Sequence, residues 1–337
     1  MKFFKTTCII IFILTAFVST PFVSITHADD LETASYFLFR LINEARLNPL
    51  KTLARIGIQE STARAALGDD AWVLDLEQGL PPLSWNEQLE SSATTHNNDM
   101  VGRVYYGYVS PNGSTVLDRT RRAGYESDRV SESLGYLAFE AYLEPMEAAN
   151  LMFINMLRYE LDPGSSFPKN IFNYDYDNVG ISLSATVFSR GEDLPINVYL
   201  SVADFGKNIV QTPMIIGNAY FPPDTPSSMN NVVLAPQDIY AKITVNYDVQ
   251  IFLRNPIDKS EYEIPRLPHG VFQFEATPGF YFLLAKDPDG NVVATRNFYG
   301  YNLNQVVNLW VGWTLPDSPE PTSESSGGVI LQDLDRN

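Results

Sequence analysis

Leu41-Ile-Asn-Glu-Ala-Arg-Leu-Asn-Pro49 is the end of one helix and the first of a series of short phrases whose order decides the fold. Before and through it, Ala34, Phe37, Leu38, Leu41, Ile42 and Ala45 recur at helical spacing, so residues 31–48 read as an amphipathic helix stopped by Pro49. Pro82-Leu-Ser-Trp-Asn-Glu-Gln-Leu89 leads into a second helix over 86–102, capped either by Ser84 with Glu87 at capping-box spacing or by Asn86. Leu89, Ala93, His96 and Met100 share one face of that helix. A third helix starts at Pro145, a good first-turn residue, and ends before Asp162-Pro-Gly164, with Ala148, Leu151, Met152 and Ile154 as its buried face. Strands follow at Val179–Phe188 and Asn197–Val202, with Arg190-Gly-Glu-Asp193 in the turn between them. Helices followed by strands, with little βαβ alternation, make the fold class α+β.

The pattern changes near residue 213. Helical periodicity disappears, and short β-rich runs appear at 243–245, 249–253, 271–276, 280–285, 292–296 and 306–311. Asp287-Pro-Asp-Gly290 is a hairpin turn signal. Residues 213–313 are therefore expected to form an all-β sandwich. Residues 314–337 are expected to be a flexible acidic tail, since Thr314–Gly328 is rich in Pro, Ser, Glu and Gly.

Residues 1–28 read as a secretory signal peptide: Lys2 and Lys5, an apolar run from Cys8 to Val18, and a small-residue cleavage site at Thr26-His-Ala28. Removing it takes away the single cysteine, so disulfides and thiolate chemistry are excluded from the mature chain. It also removes two lysines and no acid, leaving 21 basic against 40 acidic side chains, a net charge of −19. That balance argues against nucleic acid and anionic membranes as partners. No later segment is apolar over the length a bilayer needs, so no transmembrane segment is expected and the location is extracellular or periplasmic.

Further phrases follow in order: Ser110-Pro-Asn-Gly-Ser114, Asp118-Arg119, Ala123-Gly-Tyr125, Ser131-Glu-Ser-Leu134, Asn170-Ile-Phe172, Asn178-Val-Gly180 and Ala203-Asp-Phe-Gly206. Together, over residues 34–206, they resemble the bacterial branch of the CAP (SCP/PR-1-like) superfamily. The resemblance implies a three-layer α-β-α sandwich over 29–212. In histidine-bearing members it also implies a cavity where two histidines and two carboxylates suit a zinc-like ion. Carried onto this chain, the first histidine position is Tyr108, the first carboxylate is Glu132, the second histidine position is Phe167 and the second carboxylate position is Asn178, with Asp177 beside it. One group of four survives, so the zinc site is degenerate and no cofactor is expected. A second, shorter resemblance ties Ala276-Thr-Pro-Gly-Phe-Tyr-Phe282 to carboxypeptidase-regulatory and Cna-B-like sandwiches.

The candidate cavity residues are thus Tyr108, Glu132, Asn178, His96 and Phe167. A buried Glu132 needs a partner, because an uncompensated buried carboxylate costs several kcal/mol in effective terms. It is either a polar anchor in a ligand cavity or a carboxylate that organises a loop. His96, on an apolar helix face, is a packed and hydrogen-bonded core histidine before it is a base or ligand. Asp99 is expected to pair with a nearby donor, and His269, in Pro268-His-Gly270, to be exposed. Tyr174-Asp-Tyr-Asp177 and Tyr105, Tyr106 and Tyr108 are aromatic enough to line a sugar- or lipid-binding groove, with packing on the sheet as the plainer reading. Asp287, Asp289 and Asn291 resemble the start of a calcium loop but lack its closing glutamate, since Phe298 stands there, so weak calcium binding comes second to a turn. No nucleophile elbow, P-loop, dinucleotide or HExxH signature occurs.

These observations predict a secreted, non-enzymatic binding protein. Its degenerate cavity would hold a small apolar or amphipathic ligand or meet a protein partner; sterol and lipid binding, signalling and proteolysis are what the resemblance implies as a class. The alternatives are a carboxylate-dependent protease or glycosidase using Glu132, and an adhesive or glycan-contacting module in the β-sandwich.

Overall fold

The computed structural model describes residues 28–68, 76, 79–188, 195–209, 212–220, 248–267 and 270–311. The expected signal peptide (residues 1–27 of it), the turn at 190–193, the β-rich run at 243–245, His269 and the acidic tail lie outside the described residues.

Six helices are described: α1 (Ala28–Leu47), α2 (Pro49–Ile56), α3 (Glu60–Leu67), α4 (Glu87–Arg103), α5 (Val116–Arg122) and α6 (Pro145–Glu160). They surround a sheet of β1 (Ser84–Trp85), β2 (Val130–Phe139), β3 (Asn178–Phe188) and β4 (Ile196–Gly206) in the order β1-β3-β4-β2. β1 runs parallel to β3, and the other neighbours are antiparallel. Helices α1 and α6 pack on one face of the sheet, and α4 with α5 on the other. This is a three-layer α-β-α arrangement followed by a β-rich region, as expected.

The α1 stripe read from the sequence is the core of the first layer: Ala34, Leu38, Leu41, Ile42 and Ala45 are all at 0% exposure. Each buried leucine or isoleucine there contributes roughly 1.5–3 kcal/mol. Pro49 ends nothing by itself; it is the first residue of α2, where its missing N–H costs nothing. Helix α4 is capped by Asn86, whose side chain accepts from Leu89 N at 3.0 Å, while Ser84 belongs to β1. The face of α6 is rotated from the one expected: Ala149, Phe153, Met156 and Leu157 are buried with Ala148 and Met152, whereas Leu151 and Ile154 are only partly so. Pro145–Leu157 is apolar on most sides, so its periodicity does not single out the face that meets α1 and β2. Gly180 marks the closest approach of sheet and helix, since a Cβ there would lie 1.9 Å from Glu90 N in the first turn of α4.

The β-rich region holds β5 (Met214–Gly217), β6 (Ala219–Tyr220), β7 (Gln250–Arg254), β8 (Glu261–Ile264), β9 (Phe272–Glu275), β10 (Gly279–Lys286), β11 (Val292–Gly300), β12 (Gln305–Val306) and β13 (Leu309–Trp310). They form a sheet β11-β10-β7-β8, a sheet β12-β5-β9 and the pair β13-β6. Ile215 and Phe272 from the three-stranded sheet share one core with Ile251, Leu283 and Ala294 from the four-stranded one. Asp287–Asn291 is the β10–β11 turn, with Gly290 at φ +86° and Asp287 accepting the backbone and side-chain N–H groups of Asn291.

Two carboxamides tie this region to the helical layers. Gln273 accepts from Trp85 N at 3.0 Å and donates to Trp85 O at 2.9 Å, in the manner of one more strand residue. Asn304 donates to Pro82 O and Asp177 O and accepts from Met214 N.

Candidate functional site: an aromatic groove beside a sealed charge cluster

The five cavity candidates fall in three places, and β2 explains why. Successive side chains of a strand point to opposite faces. Glu132 points towards α4 and α5; Ser133, its neighbour, points towards α6.

On the α4 side, Glu132 Oε1 lies 2.7 Å from His96 Nδ1 and accepts from Arg119 Nη2 at 2.7 Å. Asp204 stands directly opposite Glu132 in the β2–β4 register. Glu132, His96, Arg119 and Asp204 are between 0% and 3% exposed. Burial pushes Glu132 up to about 7 against the pull of Arg119. Burial and the adjacent Glu132 push Asp204 well above the carboxylate range. Two carboxyls share one guanidinium here, so Asp204, with the stronger push, holds the proton and Glu132 pairs with Arg119 as the carboxylate. His96 is lowered to about 4 by burial first and Arg119 second, so its imidazole is neutral at pH 7 and its Nδ1–H donates to Glu132. Arg119 also donates to Ser114 O and Tyr108 O, which locks the Ser110–Ser114 turn against the sheet. The phrases Asp118-Arg119, Ser110–Ser114, Ser131–Leu134 and Ala203–Gly206 thus meet in one buried network. Asp99 finds the donors expected of it, Arg103 Nε at 2.8 Å and Tyr105 OH at 2.7 Å.

On the α6 side, and around the outer edge of β2, lies a groove of about 600 Å3. Tyr108 and Phe167 line it; Glu132, His96 and Asn178 do not. Its other walls are Tyr106, Tyr136 and Tyr159, and its floor is Ser133, Gly135, Met156 and Glu160. The Tyr106–Tyr136, Tyr108–Phe167 and Tyr159–Phe167 rings are 5.5, 6.4 and 5.5 Å apart and inclined at 50–56°, so they form walls rather than a stack. Tyr136, Tyr159 and Phe167 are 49%, 58% and 45% exposed, unusual for large rings without a covering partner. Glu160 is buried at the last turn of α6, where it accepts from Ser133 Oγ and Ile171 N, both at 2.9 Å. Asn170 in turn donates to Ser133 Oγ. Burial pushes the Glu160 carboxyl up to about 7, and those donors hold it from rising further.

Asn178 stands apart from both places, which corrects the expectation that it sits beside Glu132. Its side chain bonds to Ser84, Asp177 and Tyr125. With Trp85, Gln273 and Glu275 it lines a cleft of about 340 Å3 where the helical layers meet the β-rich region. The offset follows from register, because Asn178 pairs with Gly206 on β4 and Glu132 with Asp204.

A zinc-like ion does not fit these positions. Rings occupy both histidine places, and the one carboxylate that remains already faces a guanidinium. Among the described residues, no group of three or more His, Cys, Asp or Glu side chains is placed to hold a metal. Nor is any helix among them long and apolar enough to cross a membrane.

Sequence reasoning passed over Glu160, Tyr136 and Tyr159. The only signal for Glu160 was its place at the end of α6, two residues before the Asp162-Pro-Gly164 break.

A family model described as the Cysteine-rich secretory protein family (CAP) matches residues 39–184. Two solved structures are similar in part. One is a 1.5 Å crystal structure of an extracellular protein containing an SCP domain from Bacillus anthracis str. Ames, at 21% identity over 38% of this chain and 35% of that one, with a TM-score of 0.26. The other is an outer surface protein from Borrelia burgdorferi, at 16% identity over 53% of this chain and 96% of that one, with a TM-score of 0.29. The chain therefore spans about a third of the length of the B. anthracis protein. No curated protein matches. Over residues 39–184 the chain is accordingly similar to the CAP domain of the Cysteine-rich secretory protein family.

Proposed function

We propose that the protein is an exported binding protein that holds a small apolar or amphipathic ligand, without a metal, in the groove over β2. The observation that carries this is the division at β2. The acids capable of chemistry near the motif, Glu132 and Asp204, are sealed, whereas five aromatic rings are left open around about 600 Å3 of space. That volume lies within the ~300–1,000 Å3 usual for small-ligand sites, which are mostly apolar with a few fixed polar groups. Here the fixed polar groups are Glu160 and Ser133.

Native mass spectrometry of the mature protein tests this. An organic adduct is expected in the wild type and absent from a Tyr159→Ala/Phe167→Ala variant, whose replaced rings are half exposed and leave the fold intact. An adduct retained by that variant places the ligand elsewhere and defeats the proposal.

A second reading rests on the β-rich region. Phe280 is 55% exposed and meets Tyr299 at 5.0 Å, and Tyr301 continues the row at 5.1 Å. Such a row supports contact with a glycan. Phe280→Ala/Tyr301→Ala abolishing retention of the full chain on glycan arrays is the expected outcome, and unchanged retention removes this surface from the account.

A further inference from the structure

This inference rests on the groove as a ligand site and specifies what enters it. The groove carries Tyr106, Tyr108, Tyr136, Tyr159 and Phe167 on its walls and one carboxyl, Glu160, on its floor, and no Lys, Arg or His lines it. The nearest cations are committed elsewhere. Arg119 is sealed against Glu132, Lys169 Nζ donates to the backbone oxygen of Glu160, and Arg158 donates to Ile56 O. The face of an aromatic ring is the negative part of its quadrupole, and a cation within about 6 Å of a ring centroid is drawn to it, more strongly when desolvated. Rings inclined at 50–56° to one another are not stacked face on face, so their faces are not covered by one another in the groove they line.

An anionic amphiphile has the opposite fate. Its carboxylate or phosphate would enter a space walled by ring faces, floored by Glu160 and without a counter-charge. It would also approach a mature chain with 40 acidic against 21 basic side chains. A neutral apolar ligand fills the walls but makes no use of Glu160. The group that suits both walls and floor is positive and weakly hydrated, with apolar substituents.

We propose that the groove over β2 binds an organic ammonium ion, a quaternary or tertiary amine carrying apolar groups, with its charged centre among the tyrosines above Glu160. The ammonium centre sits against the ring faces, where a quaternary nitrogen needs no hydrogen bond. Its substituents lie along Met156, Leu134 and Pro168. Glu160 balances the charge from below without contacting it as a donor–acceptor pair.

The test uses the full mature chain and three probes of one shape, measured by titration calorimetry at pH 8: phenethyltrimethylammonium, its neutral isostere with carbon in place of the nitrogen, and a phenylalkanoate of the same length. The ammonium compound is expected to bind at least about tenfold more tightly than the isostere. The carboxylate is expected not to bind. Tyr108→Phe should leave the ammonium affinity near the wild-type value, because the ring face is kept, and Tyr159→Ala should weaken it about tenfold. Equal binding of ammonium and isostere, both weakened by Tyr159→Ala, overturns the cation inference and leaves the groove as an apolar site. Binding indifferent to Tyr159→Ala, or no binding of any probe, overturns both.

Discussion

The two faces of β2 make opposite uses of the same kinds of residue. Towards α4, a glutamate, an aspartate, a histidine and an arginine are packed to exclusion, with His96 and Arg119 both meeting one oxygen of Glu132. Towards α6, a single glutamate lies beneath rings that have no such partners. The difference teaches that the motif around Glu132 is preserved here as architecture. Arg119 and His96 converge on its carboxylate to hold the Tyr108 loop in place, and that loop supplies one wall of the groove behind it. The proposed binding surface accordingly starts one residue along β2 from Glu132, at Ser133 and the acid it contacts.

The largest expected effect breaks the sealed side. Arg119→Met keeps much of the apolar stem but strands the Glu132 carboxylate without its cation, and removing one partner of a buried pair costs about 3–5 kcal/mol. Urea unfolding should show that loss. Glu132→Gln, which keeps the shape and lets Asp204 give up its proton to answer Arg119, should cost less and leave groove binding unchanged. Loss of binding in Glu132→Gln with an intact fold would return Glu132 to the site and undo the comparison.

The pH dependence of stability separates the two faces less drastically. Glu160 titrates near 7 in the folded protein against 4.5 for a free side chain, so the folded state favours its protonated form. A raised acid contributes stability that is complete below its unfolded value and lost as pH rises through its folded one. Stability should therefore fall by about 3 kcal/mol between about pH 5 and pH 8 from Glu160 alone, with Glu132 adding in the same direction. His96 has the opposite sign: its folded value of about 4 lies below 6.5, and its contribution is lost as pH drops through that interval. Thermal melting at a series of pH values should place the maximum at about pH 5–6, and Glu160→Gln should flatten the alkaline side. A melting temperature that rises from pH 6 to 8 contradicts the burial of these acids.

The helices α1 and α4 and strand β3 were legible because their apolar residues keep one period over many turns or alternate with neighbours of β propensity. Strand β2 was not, although its phrase Ser131–Leu134 was singled out. It is buried on both faces near its start and exposed further along, so Ser, Glu and Gly stand where a strand pattern wants apolar residues. Of the site, the positions Tyr108, Glu132, Phe167 and Asn178 could be placed by the order of phrases, but not the face to which each points. That depends on strand register, which brings Asp204 rather than Asn178 to Glu132. The groove was illegible for a related reason. Tyr136 comes from β2, Tyr159 and Glu160 from the end of α6 and Phe167 from the loop beyond, and no local pattern links them. The clamps Gln273 and Asn304 reach across 188 and 222 residues to their partners, a separation that no window of sequence spans.

Groove substitutions should act on binding and leave stability alone. Tyr159→Ala removes a ring that is 58% exposed, so unfolding should change by less than about 0.5 kcal/mol. Ligand affinity should drop about tenfold, equivalent to about 1.4 kcal/mol. A matching loss in both would mean that Tyr159 is a structural ring and that the open face is less open than its exposure indicates.

The smallest effect lies at the residue where the two faces part. Ser133 Oγ donates to Glu160 and accepts from Asn170, so Ser133→Ala removes one donor from a buried carboxylate and one acceptor from a buried amide. The net cost of such a bond is about 1 kcal/mol. The more telling readout is where the alkaline loss of stability occurs. With one donor fewer, the charged form of Glu160 is less well held, its folded pKa rises above about 7, and the midpoint of that loss moves to higher pH. The His96 limb below pH 6 should not move, because His96 bonds to Glu132 on the other side of the strand. A variant that shifts both limbs together would show that the faces of β2 titrate as one unit, and that the acid under the groove is coupled to the sealed cluster.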